Sequence, residues 1–291
     1  MHPAPSVIAF TALSGLGFGY LFFLSLGTPE LTGWPAFWAY LVAFGLSVGG
    51  LVSSTFHLGN PQRAWRAFSQ WRSSWLSREG VVSVAALCVM GLYAAAAVFL
   101  GKVYPVLGFI GAFLCLGTVI CTAMIYTQLK TVPRWNQPMT PILFLLFSLT
   151  GGAMLAGQIA LALGLIAVLS AAQLFHWVVG DQRLAESGSS IETATGLGNI
   201  GDVRLLEPPH TGPNYLLHEM AFKVGRKHRS RLRAITMATA GALPFLILLL
   251  MPWSILAILL ALVLHMVGLL ASRWLFFAEA EHVQAFYYDK L

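Results

Sequence analysis

Charged residues are scarce in this sequence. Of 291 residues, Asp, Glu, Lys and Arg make up 10% and hydrophobic residues 57%, whereas an ordinary soluble domain has roughly 25% charged residues. A soluble protein of this length needs more polar surface to cover its core, so the composition excludes soluble enzymes. Apolar stretches of about 20 residues, each long enough to cross a bilayer as a helix, recur along the sequence. The composition therefore predicts a polytopic integral membrane protein.

Cysteine is also scarce. The three cysteines, Cys88, Cys115 and Cys121, lie in apolar stretches and show no CxxC motif or paired spacing. Such positions are typical of cysteines that pack as small hydrophobic side chains. We therefore expect no disulfide, no iron–sulfur cluster and no metal site in this chain.

Asp, Glu, Lys and Arg are absent from the middle of the apolar stretches. This absence argues against an ion pump or a proton-coupled transporter with a buried chain of carboxylates. Three histidines remain: His57 and His176, each at or near one end of its stretch, and His265 in the middle of another. An axial histidine pair can hold a b-type haem, but His176 and His265 are expected at different depths, so no haem is expected. The structural alternative for His265 is a hydrogen bond to a neighbouring helix.

Eight membrane spans are predicted, and they are helices because backbone inside a bilayer must satisfy its own hydrogen bonds. Residues 141–180 form one apolar stretch about twice as long as a bilayer is thick, so it must fold back, with Gly157-Gln158 as the expected turn. Gly15 and Gly19 form a GxxxG motif, which predicts close helix packing. The fold class is an all-α bundle in one membrane anchor domain, residues 1–291. Its predicted spans are residues 6–26, 36–56, 80–100, 104–127, 140–156, 159–179, 234–250 and 253–277.

Two long hydrophilic loops, residues 57–79 and 181–233, fall on the same side of an eight-span bundle as both termini. Every Lys and Arg except Lys102 lies on that side. Positive residues stay on the cytoplasmic side of a membrane, so we predict an N-in, C-in protein of the bacterial inner membrane with both long loops cytoplasmic. Arginines that only anchor the protein at the membrane surface are compatible with the same orientation.

A dense polar cluster lies where the second span ends and the third begins. It combines an imidazole, a carboxyl group, fixed positive charges and flat aromatic rings. Reduction of a quinone consumes two electrons and two protons, and a His and a Glu at the membrane edge can relay those protons. An interfacial aromatic belt, with Glu79 complementing the helix dipole, explains the same residues, and composition alone leaves both interpretations open. Arg63 and Arg78 are expected to keep Glu79 ionised. The candidates for quinone binding or proton relay are His57, Arg63, Trp75, Ser77, Arg78 and Glu79, with Trp135 and His176 in addition.

Four short motifs resemble, in the same order, those of the membrane anchor subunit of dimethyl sulfoxide reductase and its relatives. The first two are His57-Leu-Gly-x-Pro61-x-Arg63-Ala and Trp75-Leu-Ser77-Arg-Glu79. The third is Leu129-Lys-Thr-Val-Pro133-Arg-Trp135, followed by Thr140-Pro141. The fourth runs from Gly201-Asp-Val-Arg-Leu-Leu-Glu207 through Asn214-Tyr-Leu to Arg226-Lys-His228. Together the motifs extend the resemblance over the chain.

The resemblance implies that the chain holds no redox centre and works beside an iron–sulfur subunit with 4Fe–4S clusters and a molybdopterin catalytic subunit. It implies a quinone or quinol site next to the nearest cluster, with the family's quinol-site histidine at His57 and its glutamate at Glu79. Membrane lipid is the other partner, and no nucleic acid is expected. The two polar loops are expected to dock the iron–sulfur subunit through Arg66, Arg72, Arg204, Lys223 and Arg226.

The charge distribution departs from the dimethyl sulfoxide reductase anchor, whose motif-bearing face is periplasmic. Here the positive residues share the face with the motifs, so the docking face is expected to be cytoplasmic. This arrangement resembles the anchor of the cytoplasmic, membrane-bound sulfite dehydrogenase, which passes electrons from sulfite to a quinone, ubiquinone or menaquinone. The alternatives are an anchor that oxidises menaquinol for a dimethyl sulfoxide or similar reductase and, in another class, a non-redox transporter or structural subunit. The chain is not expected to act on the substrate by itself.

Overall fold

A computed structural model describes residues 4–207, 212, 228–251 and 254–288. The side chains of His57 and Tyr288 lie outside this description. Within these ranges every element of regular structure is a helix, as expected for a chain whose backbone must be satisfied inside a bilayer. The all-α, polytopic membrane fold class is confirmed.

Eight apolar helices correspond to the eight predicted spans. Seven of them are 21 to 28 residues long. The fifth has 17 residues and is about 26 Å long, at the lower limit for a membrane span. The bounds are α1 Pro5–Ser25, α2 Gly33–Ser53, α3 Trp75–Leu100, α4 Pro105–Thr127, α5 Met139–Leu155, α6 Ile159–Glu186, α7 Arg229–Leu250 and α8 Ile255–Ala278.

Helices α3, α6 and α7 extend beyond their predicted bounds, into the predicted loops 57–79 and 181–233. At α3 the reason is a helix cap, because the Ser74 hydroxyl accepts a hydrogen bond from the backbone N–H three residues later, at 3.5 Å. At α6 and α7 the reason is an ion pair between Asp181 and Arg233, at 2.7 Å. The helices therefore continue past the ends of the apolar stretches into polar residues. The two loops between them are shorter than predicted.

The predicted turn between α5 and α6 is confirmed. Gly157 has a φ of +67°, a left-handed conformation that glycine adopts without strain. The N–H of Gln158 closes the turn on the Ala153 carbonyl at 2.8 Å. Proline ends a helix at the residue before it, so the sequence also predicts a turn at Met251-Pro252. Met251 follows the end of α7, and Pro252 lies outside the described residues.

Helix α1 is the most buried of the seven long helices and packs against α2, α4 and α5. Glycine allows the close approach to α5. A Cβ on Gly19 would collide with the backbone of Ser148, and one on Gly152 would collide with the backbone of Gly19. The GxxxG prediction therefore holds for Gly19. The Cβ position of Gly15 has no neighbour within 4 Å, although its carbonyl accepts a hydrogen bond from Ser148 at 2.6 Å.

One end of the bundle, which we call the charged end, collects the polar segments. Five charged side chains meet there: Arg134 after α4, Asp181 in α6, Arg229 and Arg233 in α7, and Glu279 after α8. Two 3₁₀ helices, Ser54–His57 and Pro61–Phe68, follow α2 at this end. Two further short helices, Ile191–Thr195 and Val283–Tyr288, complete it and are joined by a hydrogen bond from the Tyr287 hydroxyl to the Ala194 carbonyl at 2.5 Å.

Candidate functional site

Glu79 lies in the second turn of α3 with its side chain buried, at 4% exposure. Its carboxylate accepts a hydrogen bond from the hydroxyl of Thr122 in α4. Within the described part of the chain it forms no ion pair. A carboxyl group that is held by a hydroxyl and has no fixed counter-ion beside it can bind and release a proton. The structure thus places Glu79 inside the bundle rather than in the predicted loop.

The 3₁₀ helix Pro61–Phe68 packs onto the first turns of α3. The Ser77 hydroxyl donates a hydrogen bond to the Ala67 carbonyl, and the Phe68 ring lies 3.2 Å from the Cβ position of Gly80. Because the single proton of the Ser77 hydroxyl is used in that bond, this predicted site residue fastens the segment to α3.

Arg78 faces away from Glu79. Its Nε donates to the Trp71 carbonyl at 3.1 Å and its Nη2 to the Arg72 carbonyl at 2.7 Å. Its guanidinium lies 4.4 Å from the centre of the Trp75 ring, a cation–π contact. Consecutive residues of a helix project about 100° apart, so Arg78 fixes the stretch before α3 while Glu79 points inward. The expected ionic support of Glu79 by Arg78 is therefore not present.

His57 ends the 3₁₀ turn that follows α2, and its side chain lies outside the described residues. The turn contacts the segment Pro61–Phe68, which in turn contacts the start of α3. Arg63 lies in that segment and is exposed. The backbone therefore brings His57 to the same end of the bundle as Glu79, and their direct contact stays a prediction.

Trp135 and His176 belong to a second cluster, around Phe276 of α8. The Trp135 ring stacks on Phe276 at 5.1 Å, and its Nε1 donates to the Phe276 carbonyl at 2.8 Å. The His176 ring lies 6.4 Å from Phe276 and is buried. Neither nitrogen of His176 has a hydrogen-bond partner among the described residues. The structure thus brings these two candidates together, but in contacts separate from those of Glu79.

An ion network at the charged end escaped the sequence analysis. Arg134 lies 2.5 Å from Asp181 and 3.4 Å from Glu279. Arg233 binds both oxygens of Asp181, at 2.7 and 2.8 Å, and Glu279 at 2.9 Å. Arg134 and Glu279 are buried, with side-chain exposures of 4% and 3%. The sequence does place these acidic and basic residues near helix ends on the same side of the membrane. It does not show which of them form ion pairs.

Arg273, near the end of α8, is a buried charge that the sequence analysis did not single out. It lies inside α8 at 3% exposure, with its guanidinium 3.5 Å from the centre of the Phe144 ring and 5.5 Å from that of Phe147. Its Nε has no hydrogen-bond partner within the described ranges. The signal was present in the sequence, because residue 273 falls within the predicted span 253–277.

Two small cavities adjoin Arg273. The first lies between α1, α4, α5 and α8, and its walls include Thr122. The second is lined by Gln173, His176 and Ser272 among others. Each is of a size that holds about one water molecule, so neither accommodates a quinone ring.

His265 has the structural contact proposed as its alternative role. Its ring is fully buried, and Nδ1 lies 3.3 Å from the Ala240 carbonyl of α7. No group of three or more His, Cys, Asp and Glu side chains forms a possible metal site in the described ranges. Cys88, Cys115 and Cys121 are free thiols.

Residues 5–201 match the family model of the DMSO reductase anchor subunit (DmsC). The chain belongs to this family. It is 33% identical, over the full length of both chains, to a subunit of the sulfite dehydrogenase of Allochromatium vinosum. It is also 33% identical to the anaerobic dimethyl sulfoxide reductase chain YnfH of Escherichia coli, over 38% of this chain and 39% of that one. No solved structure gave a significant match.

The DmsC family match confirms the resemblance found in the motifs, and the chain is a membrane anchor subunit of this family. The matched range contains Glu79 and Thr122. Helices α7 and α8, with Arg233 and Arg273, lie beyond it. The full-length similarity to the sulfite dehydrogenase protein extends over these two helices as well.

Proposed function

We propose that this chain is the quinone-reactive membrane anchor of a molybdopterin and iron–sulfur oxidoreductase complex, and that the complex passes electrons from sulfite to a quinone. The observation that carries the proposal is the Glu79–Thr122 pair. A buried carboxyl group without an ion-pair partner in the described part of the chain stands at the membrane edge, where it can exchange a proton with a ligand. His57, at the same end, is proposed as the second proton-relay residue.

The quinone ring is proposed to bind outside the bundle, where the segment Pro61–Phe68 meets the start of α3. The two cavities beside Arg273 are too small for it. Along this edge Trp75 is half-buried and Phe68 is exposed, so flat apolar faces lie beside the helix that carries Glu79. A ring at this edge enters directly from the lipid.

Sulfite as the electron source is supported by two observations. The relative matched over its whole length is a subunit of sulfite dehydrogenase. Apart from Lys102 and the buried Arg273, the positive residues fall on the side of the motifs in the predicted topology, which supports a docking face in the cytoplasm and a location in the bacterial inner membrane. The resemblance to YnfH, a chain of dimethyl sulfoxide reductase, supports the alternative in which the anchor oxidises a quinol and the complex reduces its substrate.

The iron–sulfur subunit is proposed to dock on the charged end. The guanidinium groups of Arg66 and Arg72 lie 5.6 Å from the centres of the Trp65 and Trp71 rings, and both rings are more than half exposed. Arg204 is exposed near the same end, while Lys223 and Arg226 lie outside the described residues. Exposed Trp and Arg side chains are typical of the residues that contribute most to protein interfaces. The molybdopterin subunit is proposed to bind through the iron–sulfur subunit.

Deletion of the chain tests this function. Membranes with the complete complex should reduce quinone when given sulfite. Without this chain, the other two subunits should appear in the soluble fraction and oxidise sulfite only with a soluble artificial acceptor. Dimethyl sulfoxide-dependent oxidation of quinol in place of sulfite oxidation would establish the reductase alternative. Catalytic subunits that stay on the membrane and reduce quinone without this chain would contradict both.

A further inference from the structure

Thr122 is the described hydrogen-bond partner of the Glu79 carboxyl group. Its hydroxyl contacts two acceptors, an oxygen of Glu79 and the backbone carbonyl of Thr118, the latter at 3.1 Å. Both side chains are buried, at 4% exposure for Glu79 and 5% for Thr122. A threonine hydroxyl has one proton to donate and two lone pairs that accept, so it serves one of these acceptors at a time.

The proton count gives this contact two states. When Glu79 is a carboxylate, the Thr122 hydroxyl donates to it. When Glu79 is a carboxylic acid, it donates to the Thr122 oxygen, and the hydroxyl turns to the Thr118 carbonyl. In both states Glu79 and Thr122 stay hydrogen-bonded to each other. Neither state therefore has the cost of a buried polar group without a partner. A rotation of one hydroxyl is the only movement that separates them.

Charges around the pair favour loss of the proton towards the outside of the bundle. Arg273 of α8 lines the same cavity as Thr122, and its positive charge opposes movement of a proton deeper into the bundle. Among the described residues, the titratable side chains of Cys121 and Tyr126 on α4 also interact electrostatically with Glu79. On α3 itself, Arg78 is engaged with the backbone before the helix.

We propose that Thr122 is a positioning residue of the proton relay, whose hydroxyl changes from donor to acceptor each time Glu79 gains a proton. The inference rests on the proposed quinone function. Each quinone reduced takes two electrons from the iron–sulfur subunit and two protons, and Glu79 passes protons to the ring oxygens and is reprotonated from the charged end. Without the hydroxyl, both states of Glu79 lose this hydrogen bond inside the bundle, and the loss is larger for the charged carboxylate.

The test uses the assembled complex in lipid nanodiscs with a soluble short-chain quinone. Thr122→Val should lower kcat for quinone about 10- to 100-fold, the effect of one hydrogen bond to a charged group, with KM within about twofold of wild type. Thr122→Ser keeps the hydroxyl and should restore kcat. The matched control is Thr11→Val, a buried threonine on the wall of the same cavity whose hydroxyl bonds only to carbonyls of its own helix.

Infrared difference spectroscopy supplies a readout of the contact itself. The carboxyl band that Glu79→Gln removes should be displaced in Thr122→Val and should keep its position in Thr122→Ser and Thr11→Val. Wild-type kcat and an undisplaced band in Thr122→Val would overturn the inference, while an inactive Glu79→Gln would leave the proposed function standing. Failure of both Thr122→Val and Thr122→Ala to assemble would show that the hydroxyl acts in folding, and would also overturn it. A fully active Glu79→Gln would instead remove the proposed quinone site.

Discussion

Arg134 and Asp181 form an ion pair of 2.5 Å that joins the connection between α4 and α5 to the end of α6. The pair belongs to a network that also contains Arg233, Glu279 and, at 3.8 and 4.0 Å from the two carboxylates, Arg229. Four segments that are far apart in sequence are thereby fixed at the charged end. Trp135, the next residue after Arg134, stacks on Phe276 of α8. Arg134 and Trp135 together therefore hold the connection between α4 and α5 against α8.

Arg134→Ala should destabilise the protein by roughly 3 kcal/mol, the lower end of the cost of breaking a buried ion pair, because Arg233 still contacts both carboxylates. Thermal unfolding of the purified complex followed by tryptophan fluorescence measures the effect. The control is Arg183→Ala, since Arg183 pairs with Glu186 at 3.5 Å and both side chains are partly exposed, at 33% and 54%, and pairs open to solvent contribute about 0–1 kcal/mol. Equal melting temperatures for the two variants would contradict the assigned role of the network.

Most of the fold was predictable because its main determinant is local. An apolar stretch of sufficient length specifies a membrane helix, and Gly157 marks the one turn within the longest stretch. The exact helix ends were not predictable from hydropathy. They depend on a cap at Ser74 and on the ion pair between Asp181 and Arg233. These residues lie in stretches that hydropathy assigns to loops.

The two glycines of the GxxxG motif should differ in their response to alanine. Gly19→Ala places a methyl group against the Ser148 backbone, and overpacking of this kind costs about 1–3 kcal/mol. Gly15→Ala meets no atom within 4 Å and should be neutral or stabilising by up to about 1 kcal/mol through helix propensity. Melting temperatures of the two variants provide the comparison. A Gly15→Ala variant as unstable as Gly19→Ala would refute the packing described for α1 and α5.

The candidate site was only partly predictable. A motif resemblance identified Glu79, but its partner Thr122 comes from another helix, and only the tertiary structure shows the contact. Arg78 was chosen because it adjoins Glu79 in sequence, yet neighbouring residues on a helix diverge in direction. Arg273 was overlooked because a single charge hardly changes the mean hydropathy of a stretch of 24 residues.

Charge reversal at the charged end should weaken docking of the iron–sulfur subunit. Arg66→Glu and Arg72→Glu should each reduce the fraction of that subunit retained on membranes, more strongly at low ionic strength, because salt screens the charges that steer and orient the partner. Lys102→Glu, at the opposite end of the bundle, is the control and should retain the wild-type fraction. Release by Lys102→Glu but not by the two arginine variants would move the docking surface to the other face.

The proposed orientation places both termini and the connection after α4 in the cytoplasm. Alkaline phosphatase fused after Lys130 or at Leu291 should be inactive, and a fluorescent protein that folds only in the cytoplasm should be active at the same positions. A phosphatase fusion at Lys102 is the control and should be active. Phosphatase activity at Lys130 would reverse the orientation and remove one of the two supports for sulfite as the electron source.

The most direct test of the central claim is Glu79→Gln in the assembled complex, measured with two electron acceptors. Because a positioned proton donor contributes about 10²- to 10⁴-fold in rate, quinone reduction with sulfite should fall by that factor, while sulfite oxidation with a soluble artificial acceptor should stay at the wild-type rate. Glu192→Gln removes a carboxylate from the short helix Ile191–Thr195 at the same end and should change neither rate. A Glu79→Gln complex that assembles and reduces quinone at the wild-type rate would contradict the account.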